Sequence, residues 1–160
     1  MTTIALSGSR SGIGAATAAA LAALGHRIIG IDLRDADICA DLSDAAGRAA
    51  AVQQVLSQCD GVLDGLVLCA GLGAHVEPAS KIAEVNYFGA VDLLDGLLPA
   101  LQRGTAASAV VVSSVASSQL PWDRNPLAAA LEAGDHAAVA AVCAGAGAKA
   151  AASGLRSQGS

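Results

Sequence analysis

Short apolar runs alternate along the chain with longer stretches in which apolar residues recur at helical spacing. The apolar runs predict strands buried on both faces, at residues 3–6, 26–32, 65–71 and 109–114. The longer stretches predict helices at residues 15–24, 44–58, 80–102, 127–132 and 135–143. Strands that alternate with helices in this way predict βαβ units, and therefore an α/β fold with a doubly wound parallel sheet.

The regular pattern extends to about residue 147, which predicts one domain over residues 1–147. The segment 148–160 is rich in small and polar residues and has no apolar period, so we expect an atypical, disordered tail there. A chain of 160 residues is long enough for one domain with its own core.

A glycine-rich turn joins the first predicted strand to the first predicted helix. Its sequence is Gly8-Ser9-Arg10-Ser11-Gly12-Ile13-Gly14. Gly8 lets the chain turn sharply, Gly12 lets a phosphate approach the backbone, and Gly14 lets the helix pack closely on the sheet. The free N–H groups of the new helix favour a pyrophosphate. The turn, with Ser11 and Ile13 inside it, therefore predicts a Rossmann-type dinucleotide site.

Asp32 ends the second predicted strand, eighteen residues after Gly14. A carboxylate at this place accepts hydrogen bonds from the adenosine ribose hydroxyls and repels a 2′-phosphate, which favours NAD(H) over NADP(H). Arg10 and Arg34 weaken this preference, because a nearby arginine can hold a 2′-phosphate. A solvated acid that begins a turn is the alternative interpretation of Asp32.

The composition argues against several classes of partner. The chain is 54% hydrophobic but only 2% aromatic, so it offers few stacking surfaces to single-stranded nucleic acid. Its formal charge of −5 argues against a nucleic-acid or anionic membrane partner. No apolar run reaches the roughly 18 residues of a membrane span.

The cysteines and the amino terminus predict a cytoplasmic protein. The four cysteines contain no Cys-x-x-Cys pair, which favours reduced thiols over a metal site or a disulfide framework. The amino terminus lacks the basic start and long apolar region of a signal peptide. We therefore expect no bound metal and no export.

Together these features resemble the short-chain dehydrogenase/reductase family over nearly the whole chain. The glycine turn matches the family's cofactor turn, and Asp41-Leu42 matches the pair that contacts the adenine ring. Cys69-Ala70-Gly71 stands where the family usually has Asn-Ala-Gly. Asn86 matches the family's active-site asparagine, and Ser114 matches its catalytic serine.

The resemblance implies hydride transfer between NAD(H) and the carbonyl carbon of a small alcohol or ketone. Ser114 would hydrogen-bond the substrate oxygen, and Asn86 would hold a water in the proton relay. Further segments, around residues 66–73, 85–90 and 125–134, resemble bacterial members of the family that interconvert 3α-hydroxysteroids and 3-oxosteroids and reduce other carbonyls. For those members an inserted helix after the serine strand implies a homodimer.

The chain departs from the family at its acid–base pair, Tyr-x-x-x-Lys. Its only tyrosine is Tyr87, which belongs to the asparagine motif. An ungapped alignment puts Leu155 and Gly159 at the tyrosine and lysine positions, whereas a gapped alignment puts Lys149 at the lysine position. The family sheet has seven strands, so this sheet is expected to be truncated after about five.

Three explanations of this departure stay open. The chain is a fragment of a longer protein, the product of a frame-shifted gene, or a degenerate relative that binds a nucleotide without turnover. The alternative to an oxidoreductase is therefore a non-catalytic dinucleotide-binding module or an inactive fragment.

Overall fold

The protein was described from a computed structural model, which covers the backbone of residues 2–114 and 120–157 and the side chains of these residues up to Ala146. Five parallel strands form one sheet in the order β3-β2-β1-β4-β5. The strands are β1 Thr3–Ser7, β2 Arg27–Asp32, β3 Ile38–Cys39, β4 Gly65–Leu68 and β5 Ser108–Val111. The predicted doubly wound parallel sheet is confirmed.

Helices connect the strands and follow the last of them. They are α1 Gly12–Ala23, α2 Ala45–Gln58, α3 Ala79–Ala83, α4 Gly89–Leu101, α5 Ala128–Glu132 and α6 His136–Ser157. A π-helical segment, Glu84–Phe88, lies between α3 and α4, and a 3₁₀ turn, Trp122–Arg124, precedes α5. The sequence predicts one continuous helix over 80–102, and the structure differs from this prediction at the π-helical segment. Such segments are rare, occur mostly within α-helices and are frequently found at functional sites.

The core lies between the sheet and one face of α2 and α4. Apolar residues at helical spacing, such as Val55 of α2 and Leu97 of α4, are fully buried against Ile29 and Leu66 of the sheet. A smaller apolar cluster joins the π-helical segment to the last two helices, through Phe88, Leu131 and Val139. Amphipathic helices that cover a parallel sheet in this way leave its strand ends open for loops.

The order of the strands in the sheet determines where a ligand site can form. β1 lies in the centre of the sheet, with β2 and β3 on one side and β4 and β5 on the other. After β3 the chain crosses back to the other side of β1 and forms β4 there. The order in which strands are added therefore reverses between β1 and β4, and a crevice opens at the carboxyl ends of these two strands.

Two details differ from the sequence-based predictions. The helix expected to end near Cys143 runs to Ser157, so part of the segment 148–160 is helical in the structure. Alanine has the highest helix propensity, and the many alanines of this segment offset its glycines. Helix α2 begins at Ala45, one residue later than predicted, because Asp44 is its N-cap and its carboxylate accepts from the Gly47 N–H.

Candidate functional site

A cavity of about 550 Å³ lies at the carboxyl ends of β1, β2 and β4. All eleven residues that the sequence predicts for cofactor binding lie around it: Gly8, Ser11, Gly12, Ile13, Gly14, Asp32, Asp41, Leu42, Cys69, Ala70 and Gly71. The structure therefore brings four separate sequence motifs together at one place.

The glycine turn after β1 forms one wall of the cavity. Gly8 has a φ of +72°, and a β-carbon there would lie 2.8 Å from the Ala70 nitrogen. A β-carbon on Gly14 would lie 1.9 Å from the Gly8 carbonyl oxygen. A β-carbon on Gly12, whose φ is +52°, meets no atom of the described residues within 4 Å. Gly8 and Gly14 are thus required by close packing, whereas Gly12 keeps the cavity side of the turn open.

The amino terminus of α1 supplies to this wall backbone donors that have no partner within the helix. Ser11 is the N-cap residue, with extended backbone and no side-chain capping bond. The helix's own hydrogen bonds begin where the Ala15 N–H donates to the Ser11 carbonyl, so the N–H groups before it have no partner within the helix. These donors and the positive end of the helix dipole favour an anion beside Ser11, Gly12 and Ile13.

Asp32 lies at the end of β2 with its carboxylate held by backbone groups. Its Oδ2 accepts from the Arg10 N–H at 2.9 Å, and its Oδ1 accepts from the Leu33 N–H at 2.7 Å. A carboxylate accepts about four hydrogen bonds, so both oxygens retain acceptor capacity toward the cavity. The position is suited to binding a pair of hydroxyl groups.

The loop after β3 also lines the cavity, through Asp41 and Leu42. The Ser43 hydroxyl donates to Asp41 Oδ1 at 2.6 Å and the Ser43 N–H donates to the same oxygen at 2.9 Å. These bonds, with a smaller contribution from the charge of Lys81, hold the pKa of Asp41 below its ordinary value. Leu42 is buried and presents an apolar surface to the cavity.

The loop after β4 begins with Cys69-Ala70-Gly71, at the floor of the cavity. The Ala70 N–H donates to the Ser7 hydroxyl at 3.2 Å, which ties this loop to the end of β1. Burial raises the pKa of the Cys69 thiol, so the side chain is neutral and acts as a small apolar group. A reactive thiolate is therefore not favoured here.

Asn86 and Ser114, the two predicted catalytic residues, do not belong to the cavity wall among the described residues. Asn86 lies in the π-helical segment, and its amide makes two bonds to one residue of the β4 loop. Its Oδ1 accepts from the Leu72 N–H at 2.7 Å and its Nδ2 donates to the Leu72 carbonyl at 3.1 Å. Ser114 follows β5 at the same carboxyl edge of the sheet, where the Val112 N–H donates to the Leu68 carbonyl at 2.9 Å. Their catalytic roles stay predictions.

Five further residues around the cavity were not predicted from the sequence: Leu33, Ala40, Leu72, Lys81 and Val85. Four of them, Leu33, Ala40, Leu72 and Val85, are direct neighbours of predicted residues and could have been found from that adjacency. Lys81 comes from α3, and no motif in the sequence indicates its approach to the site.

The tyrosine and lysine positions of the family have no described counterpart in the site. Tyr87 is partly buried and packs edge-on against Phe88, with ring centroids 5.3 Å apart. The side chains of Lys149, Leu155 and Gly159 lie outside the described residues.

Neither a metal-binding cluster nor a membrane-spanning helix occurs in the part of the chain that the structure describes. Within residues 2–114 and 120–146, no group of three or more His, Cys, Asp or Glu side chains could hold a metal ion. No helix in the described part of the chain is long and apolar enough to cross a membrane.

Comparison with known proteins identifies relatives of known chemistry. The chain is 54% identical over 142 residues to the 3-alpha-hydroxysteroid dehydrogenase/carbonyl reductase of Comamonas testosteroni, covering 89% of this chain and 55% of that protein. It is 36% identical over 124 residues to the coniferyl-alcohol dehydrogenase of Pseudomonas sp. strain HR199, covering 46% of that protein. The chain thus spans about half the length of these curated relatives.

A solved structure and a family profile agree with these matches. The crystal structure of the 3-alpha-hydroxysteroid dehydrogenase from Pseudomonas sp. B-0831 complexed with NADH superposes with a TM-score of 0.88 at 48% identity, over 91% of this chain and 57% of that one. The profile of the short chain dehydrogenase family matches residues 2–134. Since this match covers most of the sequence, the chain belongs to the short-chain dehydrogenase/reductase family.

Proposed function

We propose that the cavity binds NAD(H) and that this protein is an NAD(H)-dependent oxidoreductase that interconverts secondary alcohols and ketones. The observation that carries the proposal is the convergence of the glycine turn, Asp32, the Asp41-Leu42 pair and the β4 loop on one cavity. The glycine turn and Asp32 were predicted from the residues themselves and the other two segments from the family resemblance, and a chance arrangement would not place all four at the topological switch of the sheet.

The residues around the cavity fit a dinucleotide. The open space beside Gly12 and the free N–H groups of α1 suit a pyrophosphate. The carboxylate of Asp32 suits the ribose hydroxyls, and its charge disfavours the 2′-phosphate of NADP(H). The NADH complex of the Pseudomonas relative supports the same choice of cofactor.

When bound, the cofactor supplies the hydride chemistry, and the chain's own groups position the reactants and handle protons. Ser114, at the carboxyl end of β5, would hydrogen-bond the substrate oxygen. Asn86 holds Leu72 at the edge of the cavity and would also help to retain a water for proton transfer. The geometry of the loop after β4 is therefore part of the proposed site.

We further propose 3α-hydroxysteroids and 3-oxosteroids as substrates, with other carbonyl compounds beside them. The names of the Comamonas and Pseudomonas relatives support this class. A homodimer and a cytoplasmic location, both predicted from the sequence, are also retained as proposals.

A second candidate function is a dinucleotide-binding module without turnover. The 160 residues contain one tyrosine, Tyr87, and its ring packs against Phe88. This candidate is favoured because the 160 residues contain no second tyrosine for the family's acid–base role. The two candidates share cofactor binding and differ only in chemistry.

Two measurements on protein whose intact mass matches the 160 residues test the proposals. NADH fluorescence titration should give saturable binding, with a weaker response to NADPH. An assay for NAD⁺ reduction with a 3α-hydroxysteroid then separates the candidates: turnover supports the oxidoreductase, and binding without turnover supports the module. Failure of NADH to bind contradicts both.

A further inference from the structure

Arg48, in the first turn of α2, is a buried charge beside the cavity. Its side chain is 1% exposed, and a buried guanidinium is costly unless its donors are bonded. Its Nη1 donates to the Leu42 carbonyl and to Glu84 Oε2, each at 3.0 Å, and its Nε donates to Asp92 Oδ2 at 2.6 Å. One side chain thus connects the loop after β3, the π-helical segment and α4.

Two of these three partners adjoin the cavity. Leu42 lies in its wall, and Glu84 directly precedes Val85, which also lies in the wall. Asn86, one residue further, holds Leu72 of the β4 loop. The loop after β3 is therefore bonded to the π-helical segment through Arg48, and the loop after β4 is bonded to the same segment through Asn86.

The Arg48 contacts are better suited to orienting the loop after β3 than to stabilising the fold. A buried ion pair adds little net stability, because desolvation of the charges offsets their attraction. A guanidinium is planar, however, and its N–H groups point in set directions, so it restricts the orientation of the Leu42 carbonyl in a way that an apolar side chain does not. Since Leu42 and Asp41 share the peptide segment at the wall, this restriction extends to both.

We propose that Arg48 is a positioning residue for the cavity. It holds the Asp41-Leu42 loop at a set distance from the π-helical segment, so that the wall is already formed when the cofactor binds. This inference rests on the proposed function, because the ligand whose binding it assists is NADH.

The test compares Arg48→Lys with Arg103→Lys by NADH titration. Arg103 is a matched control, because its Nε also donates to a backbone carbonyl, that of Gly61, at 2.7 Å, but it is exposed and does not line the cavity. Lysine keeps the charge and loses the planar set of donors. We expect the NADH dissociation constant to rise about tenfold for Arg48→Lys and less than about twofold for Arg103→Lys.

Hydrogen–deuterium exchange without cofactor provides a second readout that general destabilisation would not reproduce. In Arg48→Lys, exchange should become faster in segments 40–44 and 81–88 and stay unchanged in β1 and β4. Glu84→Gln, which keeps a polar side chain of similar size, should give the same pattern with a smaller change, and it replaces Arg48→Lys if that variant does not fold.

The possible results separate this inference from the proposed function. If wild-type protein does not bind NADH, the proposed function fails, and the exchange pattern still tests the role of Arg48 in the wall. If wild-type protein binds NADH and Arg48→Lys binds equally well, the inference is overturned. Equal losses in Arg48→Lys and Arg103→Lys, or faster exchange throughout the sheet, also overturn it.

Discussion

At the scale of single residues, the three glycines of the first turn differ in what surrounds them. Gly8 and Gly14 are in close contact with backbone atoms, so any side chain there displaces the turn itself. Gly12 borders open space on the cavity side. The same residue type therefore serves folding at two positions and ligand access at the third, and only the third can be changed without disrupting the packing of the turn.

Gly12→Ala should weaken NADH binding while the protein stays folded. The new methyl group would occupy space that the pyrophosphate requires, which weakens binding. The positive φ of +52° adds about 1–2 kcal/mol of backbone strain to alanine, which lowers the stability of the fold. We expect NADH affinity to fall at least about tenfold, measured by fluorescence titration.

Gly134→Ala is the matched control for this change. Gly134 has a φ of +64° and open space around its β-carbon position among the described residues, but it lies before α6 and outside the cavity wall. Both variants should lose similar thermal stability, and only Gly12→Ala should lose NADH affinity. Equal affinities in the two variants would contradict a pyrophosphate site at Gly12.

At the scale of elements, the strand ends are held together by side chains that bond backbone groups. Asp64, just before β4, is an example, because its Oδ2 accepts from the Thr3 N–H at 2.8 Å and its Oδ1 accepts from the Thr105 N–H at 3.1 Å. These bonds join the start of β1 to the segment before β5. They also lower the pKa of Asp64, the bond from Thr3 contributing most.

Asp64→Asn should destabilise the fold in a pH-dependent way. Because the pKa is lower in the folded than in the unfolded state, the ionised carboxylate stabilises the fold above its unfolded pKa of about 3.9. That contribution is lost as the pH falls through the folded pKa. Urea midpoints of wild type and variant should therefore differ at pH 7, and the difference should shrink as the pH falls below about 4 and through the folded pKa.

Asp95→Asn, at an exposed position of α4, controls for the loss of a negative charge. Its urea midpoint should stay near that of wild type at both pH values. A difference between wild type and Asp64→Asn that does not change with pH would show that the carboxylate charge is not the stabilising feature.

The elements that could be predicted from the sequence have a local sequence pattern, and those that could not be predicted lack a pattern of their own. Long apolar runs and helical spacing are local, and they predict four of the strands and the main helices. β3 has only two residues, Ile38–Cys39, so it leaves no run to detect beyond a short apolar step. The π-helical segment carries the same apolar spacing as a helix, and its contacts with Arg48 and with His136, which bonds Glu84 at 2.7 Å, appear only in three dimensions.

The same distinction applies to the site. Motifs that carry local chemistry, such as the glycine turn and Asp32, are visible in the sequence. Lys81, on α3, lines the same cavity as Asp41 and Leu42 of the loop after β3, and a lone lysine on a short helix has no local signal. Arg48 was not predicted for the same reason, since its charge partners Glu84 and Asp92 are 36 and 44 residues away in sequence.

At the scale of the whole molecule, the sheet has an apolar edge at β5. This strand pairs with β4, and no strand among the described residues lies on its other side. Val110 and Val111 are each 52% exposed. An exposed apolar edge strand is a template for pairing with another chain, so the 160-residue chain is expected to self-associate.

Val111→Lys should reduce this self-association, because a charged side chain at a strand edge opposes pairing. Leu98→Lys is the control, since Leu98 is 45% exposed but lies on α4 and away from the edge. Sedimentation velocity over a range of protein concentrations should show association for wild type and Leu98→Lys and weaker association for Val111→Lys. A wild type that stays monomeric at all concentrations would contradict the expectation.

The proposed function requires that the cavity at the carboxyl ends of β1, β2 and β4 binds NAD(H). The most direct measurement is an NMR titration of uniformly ¹⁵N-labelled protein with NADH, following the backbone amide signals. Binding of NADH in this cavity should give saturable shifts concentrated in segments 8–14, 32–33, 40–42 and 69–72. The absence of saturable shifts, or shifts concentrated outside these segments, would contradict it.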